Sequence, residues 1–141
     1  TGAARRFYSV AEHSLLLSTQ VPLELALCGL LHDATEAYCN DLAKPLKRVL
    51  PDYNALEDRV WQAVAFRYGL PVVMPEFGKL ADMAMLKYEV PRLMPRGTLE
   101  ELDLPGQPAN LFGLPFWPPE TAEKIFLRRY HELVDMVSAT S

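Results

Sequence analysis

The chain has 141 residues, half of them hydrophobic, enough for one buried core and too few for two independent ones. Its formal charge of −4 supplies no long-range attraction for a nucleic-acid polymer or an anionic membrane surface. The longest apolar stretch, Leu23–Leu31, contains Glu24 and stops at His32-Asp33, far short of the roughly 20 residues that cross a bilayer, so no membrane partner is expected.

The two cysteines, Cys28 and Cys39, form neither a disulfide framework nor a paired metal spacing, and no secretory leader opens the chain, which together point to a reducing cytoplasm. The chain begins at Thr1 without a methionine, so native residues are expected upstream.

In chain order, Ser9 followed by Glu12 is a capping-box pattern that starts a helix carrying His13, Leu16 and Leu17. Pro22 suits the first position of a second helix. Residues 23–38 are apolar nearly all round, which predicts a central, buried helix. Asn40-Asp41 and Pro45 end it in a polar loop and short turn, with Lys44, Lys47 and Arg48 beside it. Asp52 is read as the N-cap of a helix over 53–68, with Leu56, Val60, Trp61 and Val64 facing inward and Gly69-Leu70-Pro71 stopping it. Pro75 and Glu76 open a further helix through Leu80, Asp82, Met85, Leu86 and Glu89 that ends near Pro91. Residues 94–118 are rich in proline and glycine and read as a long ordered loop anchored by Leu111, Phe112, Phe116 and Trp117. A last helix over 120–137 carries the stripe Ala122, Ile125, Phe126, Tyr130, Leu133 and Val137. The expected fold is a single all-α domain over residues 1–141, a compact bundle of five to six helices.

Three polar groups interrupt the buried second helix: His32, Asp33 and Glu36, clustered on adjacent turns. Burying an unpaired carboxylate costs several kcal/mol, so this group needs a cation or strong donors. Asp82 is likewise a lone carboxylate in an apolar run, and His13 is one of three histidines, on its own helix. Two imidazoles and two carboxylates form a mixed nitrogen and oxygen set suited to Mn, Fe, Co, Ni or Zn, with positions left open for water and substrate. Singly, each residue has a plainer reading. His13 suits a hydrogen-bonded core or cap position, Asp82 could pair with Lys79 or an arginine, Glu36 could be solvated, and Asp41 could be an ordinary turn residue. A scaffold with no site leaves three apolar-embedded acids unexplained.

The order His13, His32-Asp33, Asp82 resembles the H…HD…D signature of HD-domain phosphohydrolases. The stretches Tyr8-Ser9-Val10-Ala11-Glu12-His13-Ser14 and Leu31-His32-Asp33-Ala34-Thr35-Glu36-Ala37-Tyr38, continued by Asn40-Asp41-Leu42 and Pro45-Leu46-Lys47, are similar to the branch that includes bacterial 5′-deoxynucleotidases. The resemblance implies one divalent metal held by His13, His32, Asp33 and Asp82. It also implies Glu36 and Asp41 as catalytic residues handling water and protons. By position, Lys44 and Lys47 could offset phosphate charge, Lys47 being the better of the two, although cations next to a helix end are more often solvated. Binuclear members carry extra histidines between the HD pair and the last aspartate, and this chain has none there. The branch's arginine-aromatic recognition pair would fall before Thr1, since Arg6-Phe7 lies too close to His13. The activity so implied is hydrolysis of a small phosphorylated nucleotide, foremost a deoxynucleoside 5′-monophosphate, by a homo-oligomer such as a dimer. Alternatives are a deoxynucleoside triphosphate or alarmone hydrolase, and a non-catalytic module that binds nucleotide or protein.

Overall fold

The computed structural model describes residues 6–73, 75–94 and 108–140, and among these the chain is an all-α bundle of seven helical segments, two of them single turns. Of the loop expected over 94–118, residues 95–107 lie outside the described residues. No helix among the described residues is long and apolar enough to cross a membrane.

Helix α1 spans Val10–Ser18, and Ser9 caps it by accepting the Glu12 backbone N–H at 3.0 Å. The reciprocal half of a capping box does not form. Glu12 is wholly buried and turns its carboxylate to the backbone N–H groups of Trp117 (2.6 Å) and Phe116 (3.2 Å), fastening the segment before the last helix onto α1. Helix α2 spans Leu23–Leu31. The single helix expected over 23–38 breaks at His32, whose ring Nδ1 meets the Gly29 carbonyl at 2.7 Å. Backbone bonds then tighten to three-residue spacing, from Ala34 N–H to Leu31 O and from Glu36 N–H to Asp33 O. The chain re-forms one turn, α3 (Glu36–Cys39), which Asn40 ends at φ 58°. The polar residues that interrupt the apolar run are also where the helix stops.

After α4 (Lys44–Lys47), helix α5 spans Pro51–Tyr68. Leu50 rather than Asp52 is its N-cap; Asp52 sits in the first turn, where its charge suits the helix dipole. Gly69, at φ 67°, closes the C-terminus in the left-handed conformation. Of the expected inward stripe, Val64 is buried and Val60 and Trp61 half-buried, whereas Leu56 is 48% exposed, because among the described elements α5 packs only on α3 and α4. Helix α6 spans Glu76–Leu93 and runs past Pro91, since a proline in the last turn forfeits a single backbone bond. Helix α7 spans Pro119–Thr140.

Two apolar clusters position the site. Leu15, Ala26, Leu30 and Leu133 join α1, α2 and α7; Leu17, Ala81, Met85, Tyr88 and Ala109 join α1, α6 and the segment entering α7. Helix α1 lies in both, so His13 projects between α2 and α6. Gly29 lies where α1 and α2 meet, and a Cβ there would come within 2.9 Å of Leu17 Cδ2, so the Leu17 side chain would have to shift. In the segment 108–118, Leu111 packs on the second cluster and Phe116 and Trp117 are half-buried, but Phe112 is fully exposed and anchors nothing. Along α7 the predicted stripe packs inward through Leu133, while Val137 is 57% exposed and borders a groove with Leu23 and Leu27 of α2.

Candidate metal centre

Helices α1 and α6 and the turn after α2 bring His13, His32 and Asp82 together so that one donor atom of each lies within 4.8 Å of the others. His13 Nε2 is 3.4 Å from His32 Nε2 and 3.1 Å from Asp82 Oδ1, and His32 Nε2 is 3.7 Å from the same oxygen. Asp33 lies against this trio, its Oδ2 3.1 Å from His32 Nε2 and 3.8 Å from His13 Nε2. A divalent metal with ligands at about 2.1 Å sets neighbouring ligand atoms about 3.0 Å apart in an octahedron and about 3.4 Å apart in a tetrahedron. The 3.1 and 3.4 Å spacings fall on those edges and the 3.7 Å one a few tenths of an ångström beyond them, so the trio can hold a metal ion.

The rings are also oriented for it. His13 Nδ1 lies 2.6 Å from Glu89 Oε1, and His32 Nδ1 lies 2.7 Å from the Gly29 carbonyl. Both acceptors want the proton on Nδ1, which leaves each Nε2 lone pair facing the centre. Glu89 is buried and is itself held by the Tyr8 hydroxyl, which donates to the same oxygen. Burial, then the Glu89 charge and hydrogen bond, push the Tyr8 pKa upward, so this phenol stays a donor.

The electrostatics without metal are those of a cluster in need of a cation. Burial opposes charge on the His13 ring, but hydrogen bonds with Asp82 and Glu89 outweigh it and hold the pKa up to about 10. Against the same opposition, Asp33 and Asp82 hold His32 up to about 9. Asp82 is pulled well below the usual carboxylate range by the two imidazoles, although burial acts the other way.

The sequence sets Asp82 in an apolar helical run, yet its side chain is 51% exposed. Its partners are the two imidazoles rather than Lys79. Asp33, Glu36 and Asp41 line one cavity of about 900 Å³ together with Phe7, Asn40 and Phe126. Glu36 is pushed up to about 7 by burial and by the Asp33 and Asp41 charges. Lys47 points its ammonium at Glu57 Oε1 (3.2 Å) and Asp41 Oδ1 (3.6 Å). His131 lies on α7, edge-on to Tyr130, and takes no part in the cluster.

Three residues of the site escaped sequence reasoning. Glu89 was legible only as another residue of the α6 pattern, although its seven-residue offset from Asp82 puts the two on one helix face. Tyr8 lies before the first helix, where no periodicity applies. Phe7 lines the larger cavity although its spacing had set it apart from substrate recognition.

Fold and site together define an all-helical protein built around a His/Asp cluster with metal-binding geometry. No family model matches the chain. It is 41% identical to the Escherichia coli K12 protein YfdR over 137 residues, covering 96% of this chain and 76% of that one. It is 31% identical to a Rhodobacter capsulatus protein over 147 residues, covering 93% and 75% respectively. The chain belongs to the YfdR family.

Proposed function

We propose that this protein is a metal-dependent phosphohydrolase of the HD type, acting on a small phosphorylated nucleotide, foremost a deoxynucleoside 5′-monophosphate. The observation that carries this reading is the His13, His32, Asp82 and Asp33 donor set at metal-ligand spacing, with Glu36 and Asp41 lining the cavity that opens from Asp33. A divalent transition metal held there would supply Lewis acidity toward a phosphoryl oxygen and would acidify water. Glu36, with its pKa near 7, orients the attacking water and takes its proton as the new P–O bond forms. As the P–O5′ bond breaks, the proton that Glu36 took from the water passes to the leaving oxygen, with Asp41, in the same cavity, relaying it. The cavity of about 900 Å³, apolar on its Phe7 and Phe126 walls, suits the departing nucleoside.

The reading extends to assembly. On α5, Leu56, Ala63 and Phe66 share one exposed face, and Phe66 is 92% exposed, which supports a homo-oligomer.

The test is phosphate release from a panel of nucleoside mono- and triphosphates and an alarmone, comparing metal-stripped protein with protein supplied with Mn, Co or Mg. The expected result is release from a deoxynucleoside monophosphate that needs metal and is lost in Asp33→Ala. Release from triphosphates alone would move the substrate, and no release from metal-loaded protein would leave a binding module.

A further inference from the structure

A divalent ion held in the proposed centre would be offset by Asp33 and Asp82, with two neutral imidazoles, before substrate arrives. Glu36 and Asp41 add further negative charge beside it, so a dianionic phosphate group requires a cation from the chain itself. Lys47, the cation favoured by sequence order, is already committed to Glu57 and Asp41.

A second cavity, of about 430 Å³, opens on the His32 side of the cluster between α5 and α6. Thr35, Asp58, Trp61, Gln62 and Lys79 line it with His32. Its other carboxylate, Glu57, is the one held by Lys47. Lys79 is the only lysine or arginine among the described residues that lines either cavity flanking the cluster. It precedes Asp82 by three positions on α6, so ammonium and metal-ligating carboxylate lie on one face a turn apart. Among the described residues it makes no ion pair.

We propose that Lys79 is the phosphate-recognising cation of this protein and that the α5/α6 cavity beside His32 is a phosphate subsite. The inference rests on the phosphohydrolase reading for its metal, and assigns to that site a residue the HD resemblance does not name. An ammonium on a flexible stem can meet the non-bridging oxygens of a phosphoryl group seated at the cluster, while the leaving group occupies the cavity on the Asp33 side.

The experiment titrates inorganic phosphate into the Mn-loaded protein, followed by isothermal calorimetry, in wild type, Lys79→Ala, Lys79→Arg and Lys47→Ala, with nucleotide hydrolysis measured on the same samples. The expected result is a phosphate Kd raised roughly tenfold or more in Lys79→Ala, the range of a lost charge-assisted hydrogen bond, with Mn affinity unchanged and recovery in Lys79→Arg. Where hydrolysis is seen, KM should rise more than kcat falls. Unchanged phosphate affinity in Lys79→Ala overturns the inference, as does a loss that follows Lys47 instead, or wild-type Mn protein that binds no phosphate. Absence of hydrolysis with phosphate binding still lost in Lys79→Ala would sink the enzyme reading and leave this one standing.

Discussion

Replacing Glu89 by glutamine removes a charge and little else. In the native protein Glu89 Oε1 accepts hydrogen bonds from His13 Nδ1–H, at 2.6 Å, and from the Tyr8 hydroxyl, so its carboxylate both selects the ring tautomer and strengthens Nε2 as a ligand. The glutamine is nearly isosteric and can still accept one hydrogen bond, but its amide NH₂ competes for the same space and its charge is gone. Changes to the outer partner of a metal-bound histidine typically weaken metal binding by about 10- to 100-fold, or about 1.4 to 2.7 kcal/mol. Competition of Mn or Co against a chelator of known affinity, at pH 7.5, should show that loss in Glu89→Gln, with helical circular dichroism unchanged. Wild-type metal affinity in a folded Glu89→Gln protein would refute the role given to this residue.

The metal-free protein should show a distinct pH profile. His13 and His32 have folded-state pKa values raised to about 10 and 9 from 6.5, so the stability they contribute is fully present below about pH 6.5 and is lost as pH rises through 9 to 10. Its Tm should therefore fall between pH 7 and 10. Metal-loaded protein should lack that fall, and metal uptake near pH 7 should release protons, read by calorimetry in buffers of different ionisation enthalpy. Glu12→Ala strips the Phe116 and Trp117 N–H groups of their acceptor and should cost about 1 to 3 kcal/mol in denaturant unfolding. Gly29→Val drives a branched side chain into Leu17 and Val21 and should destabilise by about 1 to 3 kcal/mol; an unchanged midpoint would mean α1 and α2 have room to part. Phe66→Ser should shift a homo-oligomer toward monomer in sedimentation velocity without lowering Tm.

His13, His32, Asp33 and Asp82 were readable in the sequence through their joint order: the HD pair and Asp82 interrupt apolar runs, whereas His13, between Glu12 and Ser14, stands out only in combination with them. What periodicity could not reveal is contact between elements. The helix expected across 23–38 breaks because the His32 ring captures the Gly29 carbonyl, a side-chain event that hydrophobic patterning does not register. Leu56 and Phe112 look like core residues by composition, yet they sit on an underpacked helix and a loop tip. Glu12 fits a capping box by spacing, but tertiary structure turns its carboxylate to a segment over a hundred residues away. Lys47 is near the motif in sequence and paired in space, whereas Lys79, far from the HD pair in sequence, faces the same side of the centre as His32.

The most direct measurement of the central claim is anomalous scattering at the cobalt edge from crystals of the Co-loaded protein. One peak about 2.0 to 2.2 Å from His13 Nε2, His32 Nε2 and an Asp82 oxygen, with Asp33 completing the set, is the predicted result. Cobalt bound elsewhere, or a cluster that keeps its protons and excludes the ion at saturating metal, would contradict it.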